Sequence, residues 1–154
     1  MVQAGTRHNI IPEHVHIRGT LRSFKEDVRR LAGERITTIV NDVAHAMGVR
    51  AELEIRWNYS PLMNDAQMYP MVKGWLTDLV GEEHYIEQEF PNTGGEDFSY
   101  FAQAVPSVYF WLGTQSDDGV TIGAHNPAFT FNEKAMPLGV AAFVRIVFGY
   151  LNGV

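Results

Sequence analysis

The sequence contains no cysteine among its 154 residues. No disulfide framework and no cysteine-ligated zinc site can therefore form within it. Basic residues are also scarce, since 12 lysines and arginines face 18 aspartates and glutamates, which gives a formal net charge of −6. Because these few cations form no basic stripe, the composition argues against a nucleic-acid partner or an anionic membrane surface.

Long apolar runs are missing as well. The longest, residues 137–151, is shorter than the roughly 20 residues that a membrane-spanning helix needs, and it contains Arg145. Residues 1–22 are polar and basic and lack the apolar segment of a signal peptide. We therefore expect no membrane partner and a cytoplasmic location. Hydrophobic residues make up 45% of the chain, enough to bury a core in one domain or two small ones.

The first 57 residues have the pattern of a small α+β unit. A short strand is expected near the start, and residues 13–22 alternate between apolar and polar, which is typical of a half-buried strand. Residues 23–26 read Ser-Phe-Lys-Glu, a capping-box pattern, before a long amphipathic helix that Gly48 ends. Residues 51–57 alternate again. The predicted order is therefore β-β-α-β.

The remaining residues predict further helices and strands, so the fold class is α/β. The last helix is expected to be apolar nearly all round and to need cover on several sides. The elements predicted here are a helix capped by Asn64 or Asp65, a short strand at Tyr85–Phe90, a brief helix at Phe98–Ala104, a buried strand at Val108–Leu112, and a final helix that follows Asn132 and has Pro137 in its first turn.

Two polar loops flank the predicted Val108–Leu112 strand, and such loops commonly build the site of an α/β protein. Residues 94–98 read Gly-Gly-Glu-Asp-Phe, and residues 123–127 read Gly-Ala-His-Asn-Pro. Paired glycines allow a sharp turn whose N–H groups can receive a carboxylate. A neutral imidazole in the second loop suits zinc or manganese. Asp97 could pair with Glu96 in acid–base chemistry or cap the helix that follows, and both interpretations stay open.

These motifs, in this order, resemble the C-terminal part of the M20 metallopeptidase and amidohydrolase family. The resemblance begins with Gly5 and Asn9 before Ile-Pro, continues through residues 18–24, and runs nearly to the end of the chain. Within the family it resembles the branch of hippurate hydrolases and N-acyl-amino-acid amidohydrolases. It implies a partial β-β-α-β lid, or dimerisation, domain at residues 1–57 and the C-terminal α/β part of a catalytic domain at residues 58–154.

The resemblance also implies residue roles. A pair of divalent ions (zinc, manganese, nickel or cobalt) is expected in the intact enzyme, and most of its ligands and the general base would lie in an N-terminal half that is not in this sequence. We therefore expect no catalytic residue and no bound metal in this chain alone. The implied roles are a metal ligand at His125, contacts to the scissile carbonyl and the substrate carboxylate at Asn9 and Arg22, and a lining of the substrate pocket at Gly94, Gly95 and Glu96.

The expected function is a portion of a metal-dependent amidohydrolase that cleaves N-acyl amino acids to a carboxylic acid and an amino acid. We expect a homodimer, because an incomplete lid leaves a sheet edge and apolar surface uncovered. Two alternatives stay open: a non-catalytic dimerisation fragment, and a small-carboxylate-binding module built on Arg22 and the two glycines. His14 and His16 have a spacing that can hold a metal, but with no third ligand nearby a solvated sheet face is favoured.

Overall fold

The computed structural model describes residues 1–153, which contain two short strands and four α-helices. The chain divides into two compact units, one formed by Met1–Pro61 with Asn92–Gly95 and the other by Leu62–Pro91 with the residues from Glu96 onward. The mixed helix and strand content confirms the α/β class. The elements are β1 (Val2–Ala4), β2 (Val15–Ile17), α1 (Glu26–Ala46), α2 (Met68–Val80), a 3₁₀ turn (Glu82–His84), α3 (Ser99–Ala104) and α4 (Ala135–Asn152).

The sheet of the first unit is a two-stranded antiparallel ribbon. β1 and β2 pair with Gln3 opposite His16. The prediction of a half-buried strand across residues 13–22 is wrong, because only three residues pair and Val15 and Ile17 remain 53% and 75% exposed. Alternation buries a strand face only when another layer covers it, and among the described elements α1 packs against neither strand.

α1 begins without the predicted capping box. Ser23 Oγ donates to the carbonyl of Lys25 at 2.9 Å and caps no helical N–H. Glu26 instead accepts from Arg29 Nε at 2.7 Å and from Nη2 at 3.0 Å, a charge-assisted bidentate pair that is stronger than a bond to a backbone amide. The C-terminus is as predicted: Gly48 has φ 67°, and Val49 N donates back to Ala44 O at 3.0 Å.

The third predicted strand, residues 51–57, is absent from the described structure, so the β-β-α-β order is not completed. This segment lies against α1 instead. The Trp57 ring packs on Gly33, where an added Cβ would come within 2.5 Å of it, and the Arg29 guanidinium lies 5.1 Å from the ring centroid. The lack of a side chain at Gly33 and the cation–π contact with Arg29 stabilise Trp57 against α1, whereas the sequence predicted a strand here.

The core of the second unit forms where α2 packs against α4. Trp75 and Leu76 of α2 and Ala142 of α4 are buried together, with Val72 beside them. The close approach depends on Gly149, because a Cβ there would lie 2.5 Å from Trp75 Cε2. α2 starts as predicted at an acidic cap, since Asp65 Oδ1 accepts from Gln67 N at 2.9 Å and Met68 N at 2.8 Å.

Neither strand predicted in the second unit forms. Residues 85–90 follow the 3₁₀ turn without a ladder, and residues 108–112 have no strand neighbour among the described residues. The Asn64 side chain supplies the pairing that a neighbouring strand would give to Tyr109. Its Nδ2 donates to Tyr109 O at 3.1 Å, and its Oδ1 accepts from Tyr109 N at 2.8 Å.

α4 has the predicted Pro137 in its first turn and ends at Gly153, which has φ 65°. Asn132 Oδ1 accepts from Lys134 N at 3.1 Å just before the helix. Its 18 residues are long and apolar enough to span a membrane by length and composition, so the exclusion based on the 15-residue run is wrong. Core helices of soluble proteins pass the same test. The absence of a membrane partner stays a prediction.

The chain exposes far more surface than its mass requires. Its accessible area is 13029 Å², whereas a folded monomer of 17.3 kDa exposes about 7,800 Å² and two separate domains of half that mass about 9,400 Å². Much of the excess is apolar: Ile39 and Val43 of α1 and Phe143 and Phe148 of α4 are each more than half exposed. Both helices thus carry apolar faces that no described residue covers.

Candidate functional site

Arg22 reaches the glycine loop within the first unit. Its Nη1 donates to the carbonyl of Thr93 at 2.7 Å. Arg22 thereby connects the segment that follows β2 to residues 92–95, which cluster with the first unit. A guanidinium carries five N–H donors, so one bond to the loop leaves Arg22, which is exposed, with donors to spare for a carboxylate.

Gly95 lies between Arg22 and an aromatic ring. A Cβ at this position would be 3.5 Å from Arg22 Nη1 and 3.2 Å from Tyr59 Cδ2. The second distance is shorter than ordinary van der Waals contact, so a side chain at residue 95 would force the ring to move. Glycine at residue 95 therefore allows the cation and the ring to approach this part of the loop closely.

Gly94 is part of a tight local turn. Its N–H donates to Asn92 Oδ1 at 2.5 Å, an Asx-type contact. The N–H that was expected to be open to a ligand is thus already paired. Asn9 lies in the same unit, is exposed and precedes Ile10, whose N–H closes a turn onto Arg7 O at 3.4 Å. No contact recorded among the described residues joins Asn9 to Arg22.

Glu96 and Asp97 belong to the second unit. Glu96 Oε2 accepts from the Tyr109 hydroxyl at 3.0 Å, and its Oε1 accepts from Phe98 N at 3.4 Å. A side-chain hydrogen bond with Asp97 and the bond from Tyr109 hold the pKa of Glu96 below its ordinary value. Desolvation, followed by the bond to Glu96, raises the pKa of Tyr109. Glu96 is therefore the ionised member of a Glu–Tyr pair.

Of the two interpretations left open for Asp97, the N-cap is wrong. α3 begins after Phe98 without a side-chain cap, and Tyr100 N donates to the backbone carbonyl of Asp97, not to its carboxylate. Glu96 has taken the position nearest the free N–H of Phe98. The acid–base alternative stays a prediction, because Glu96 has a side-chain hydrogen bond with Asp97 as well as the bond from Tyr109.

His125 lies exposed at the third position of a turn from Gly123 to Asn126, which the Asn126 N–H closes onto Gly123 O at 3.3 Å. Its φ is 71°, and His125 is the non-glycine residue with positive φ among residues 1–153. That conformation costs about 1–3 kcal/mol for a residue with a Cβ. A side chain kept there at such a cost is consistent with a role that glycine could not perform.

A metal site cannot be completed from the residues described. Residues 1–153 contain no group of three or more His, Asp or Glu side chains that could hold an ion together. His125 is therefore at most a single donor. His14 and His16 are both exposed around β2, and no group of three potential ligands among residues 1–153 includes them. The donors of residues 1–153 alone therefore do not fit a divalent pair.

Two tyrosines of these sites were missed by the sequence reasoning. Tyr59 lies close to Gly95, as Arg22 does, and Tyr109 binds Glu96. No local pattern marks either one, because their partners are distant in the chain. The one available signal for Tyr109 was its place between the two polar loops.

Comparison with known proteins gives consistent matches over almost the whole chain. The sequence pattern of peptidase family M20/M25/M40 matches residues 4–148. The IAA-amino acid hydrolase ILR1-like 2 of Arabidopsis thaliana is 30% identical over 98% of this chain and 35% of its own length. An N-acetyldiaminopimelate deacetylase of Streptococcus pneumoniae is 34% identical over 91% of the chain and 36% of its length. An N-acetylcysteine deacetylase of Bacillus subtilis is 30% identical over 94% of this chain and 36% of its own length.

A solved structure shows the same fold. The YXEP protein of Bacillus subtilis, described as a dinuclear metal binding peptidase from the M20 family, superposes with a TM-score of 0.72 at 28% identity. The match covers all of this chain and 41% of that protein. The chain thus spans about a third to two fifths of the length of the relatives that it matches.

Proposed function

This chain belongs to peptidase family M20/M25/M40, and from that premise we propose that it is part of a hydrolase that cleaves the amide bond of N-acyl amino acids. Several relatives are named for hydrolysis of such bonds: an IAA-amino acid hydrolase and two N-acetyl deacetylases. The proposed products are the free carboxylic acid and the free amino acid. Hippurate-like substrates are included in the proposal.

The observation that carries the proposal is the placement of Arg22 beside Gly95. The exposed guanidinium donates one bond to Thr93 O and lies close to Gly95, which has no side chain. A planar fork of N–H donors is suited to bidentate binding of a carboxylate, the group that N-acyl amino acids share. Arg22 would orient the substrate by binding its carboxylate, and the amide bond would point away from Arg22.

His125 is proposed as one metal ligand of the intact enzyme. Residues 1–153 offer no complete set of ligands, so a bound metal pair would need further donors beyond them. When bound, such metals supply Lewis-acid polarisation of the amide carbonyl and an activated water. We propose accordingly that the 154-residue chain alone does not hydrolyse N-acyl amino acids; the identity of the metal stays a prediction.

A chimera tests the proposal. The segment of the Bacillus subtilis N-acetylcysteine deacetylase that this chain matches is replaced by the chain, and hydrolysis of N-acetyl amino acids is followed by release of free amine. We expect activity in the chimera and its loss in the His125→Ala variant, with the exposed His8→Ala variant as the matched control. A folded, metal-loaded chimera without activity, or one in which His125→Ala is as active as His8→Ala, would contradict the proposal.

Arg22 is tested in the same chimera. Loss of a charge-assisted hydrogen bond is worth about 1.5–3 kcal/mol, so Arg22→Gln should lower kcat/KM for N-acetyl amino acids by about 10- to 150-fold. The exposed Arg35→Gln variant on α1 serves as the control. If N-acetyl amines without a carboxylate lose as much as N-acetyl amino acids do, Arg22 does not bind the carboxylate.

We also propose that the chain self-associates as a homodimer. The excess of exposed surface and the uncovered apolar faces of α1 and α4 support this, because such faces are stabilised by contact with another chain. Light scattering at increasing concentration measures it directly. A monomer that binds no apolar dye at about 100 μM, where sticky partly folded species associate, would argue against it. If the chain is a non-catalytic dimerisation fragment, it should dimerise and the chimera should be inactive. If it is a small-carboxylate-binding module, it should bind a carboxylate and the chimera should again be inactive.

A further inference from the structure

We propose that Asn132 is a positioning residue that fixes the turn carrying His125 to the start of α4. This inference rests on the proposed function, in which His125 is a functional residue, and deepens it by assigning what holds that residue in place. Its basis is a set of hydrogen bonds that attaches both ends of residues 122–131, called here the His125 loop, to one short segment before it.

Asn132 holds the C-terminal end of the His125 loop. Its backbone N–H donates to Thr114 O at 2.9 Å. Its side-chain Nδ2 donates to Asp117 Oδ1 at 2.8 Å and to Gln115 O at 3.3 Å. One residue thus makes three bonds to the segment that precedes the loop, and one of these bonds is to a carboxylate, which makes it charge-assisted.

The same asparagine is joined to α4. Its Oδ1 accepts from Lys134 N at 3.1 Å, and its backbone carbonyl accepts from Ala135 N at 3.0 Å. α4 in turn packs in the core of the second unit, where Ala142 is buried with Trp75. Asn132 therefore ties the His125 loop to the best-packed helix pair of that unit.

Gln115 holds the N-terminal end of the loop. Its Nε2 donates to Thr121 Oγ1 and to Gly119 O, each at 3.0 Å. Both ends of the His125 loop are therefore attached to residues 114–117. Tying the two ends of a short segment together restricts the conformations that the residues between them can adopt.

His125 needs such a restraint, because its φ of 71° is disfavoured for a residue with a Cβ. A residue stays in this region only where the surrounding structure over-determines its conformation. Within the loop, Asn126 N donates to Gly123 O at 3.3 Å and Phe129 N donates to Asn126 O at 2.9 Å. The bond that closes the turn around His125 is long, so the attachment at Asn132 supplies restraint that the turn itself lacks.

Lys134 is the competing anchor, since its Nζ binds the other carboxylate oxygen of Asp117. The side chains of Lys134 and Asp117 are 79% and 66% exposed. Ion pairs exposed to that degree contribute little, because water screens the charges and two long side chains must be ordered. Asn132 is half-buried, so the restraint on the loop is assigned to Asn132.

Amide exchange with solvent in the 154-residue chain, followed by NMR, tests the inference. Asn132→Ala should speed the exchange of the Asn126 and Phe129 amides about 10- to 30-fold, the lower part of the range for a bond to a charged group. Lys134→Ala is the matched control, because it removes the other donor to Asp117, and it should change these rates by less than about fivefold. The amides of α2 should exchange as in the wild type in both variants.

A rescue experiment separates positioning from a general loss of stability. Asn132→Asp keeps the size of the side chain, but an ionised carboxylate cannot donate to Asp117, so this variant should speed exchange at least as much as Asn132→Ala. Adding Asp117→Asn exchanges donor and acceptor and should recover part of the protection. If Asn132→Ala is poorly folded, Asp117→Ala removes the same bond from the other side and should speed exchange in the His125 loop.

The outcomes distinguish the inference from the function beneath it. Exchange at Asn126 and Phe129 that stays unchanged in Asn132→Ala, or that Lys134→Ala speeds as much, overturns the inference, and so does an equal rise throughout α2. In the chimera, Asn132→Ala should lower kcat and leave KM unchanged. Full kcat in Asn132→Ala, together with its loss in His125→Ala, also overturns the inference. If His125→Ala has no effect, the proposed function fails, and the exchange rates alone decide on Asn132.

Discussion

Replacing Gly149 by alanine should destabilise the second unit, although alanine is the better helix former. The added Cβ would lie 2.5 Å from Cε2, 2.7 Å from Cδ2 and 2.8 Å from Nε1 of Trp75. These atoms belong to the rigid fused ring of a tryptophan that is only 7% exposed, so no flexible side-chain end can move aside. The α2–α4 contact must open, or the ring must leave its rotamer, at a cost of about 1–3 kcal/mol.

Gly74→Ala is the matched control. Gly74 lies inside α2, and an added Cβ would meet no atom within 4 Å. This variant should gain only the helix propensity of alanine, roughly 0.5–1 kcal/mol. Because both variants gain that same term, it cancels in their difference. The free energy of unfolding of Gly149→Ala should therefore lie about 1–3 kcal/mol below that of Gly74→Ala.

Urea unfolding followed by far-UV circular dichroism measures this difference. The two midpoints are compared at a common m-value, since neither change alters the surface exposed on unfolding by much. A midpoint for Gly149→Ala equal to or above that of Gly74→Ala would refute the close approach of α4 to Trp75. A changed m-value would instead indicate that the two helices had separated in the native state.

Three further outcomes follow from single groups. The bonds from Lys73 and Tyr69 lower the pKa of Glu87 below 4.5. The contribution of Glu87 to the free energy of unfolding is therefore present above pH 4.5 and is lost as pH falls through the lower pKa of the folded state. Glu87→Gln should make the free energy of unfolding less dependent on pH in that range, and an unchanged dependence would count against the contact. His125→Gly should be about 1 kcal/mol more stable than His125→Ala in urea, since only glycine relieves the positive φ; equal midpoints would contradict this. The hydroxyl of Ser99 is buried without a hydrogen-bond partner in the described structure, so Ser99→Ala should raise the thermal midpoint by the equivalent of about 1 kcal/mol, and a lower midpoint would reveal a hidden partner.

The helices could be predicted from the sequence because their signals are local. The apolar spacing of α1, the acidic cap of α2 at Asp65 and the proline in the first turn of α4 each lie within a few residues of what they determine. The strands could not be predicted in the same way. Residues 51–57 and 108–112 have the composition of strands, but a strand exists only beside a partner, and the described residues provide none.

The residues of the candidate site show the same difference between local signals and contacts that depend on distant residues. The resemblance to a family selected Arg22 and Gly95, and the structure brings these two together. Tyr59 could not be found, since its approach to Gly95 depends on how Arg29 fixes residues 58–59. The cap at Asp97 does not form because Ser99 N and Tyr100 N donate to the backbone carbonyls of Glu96 and Asp97, and the spacing of residues does not reveal this. The roles of Asn9 and His125 stay predictions.

The pairing of Asn64 with Tyr109 makes this part of the chain sensitive to the exchange of one heavy atom. The amide uses its nitrogen as a donor and its oxygen as an acceptor against the carbonyl and N–H of one residue. Deamidation would put a second carboxylate oxygen where that nitrogen is, and an ionised carboxylate cannot donate. The side chain would keep its shape, but the new carboxylate oxygen and the Tyr109 carbonyl oxygen, both acceptors, would then face each other. Conversion of Asn64 to aspartate would thus release Tyr109, the tyrosine that binds Glu96, without any change in the length or packing volume of the protein.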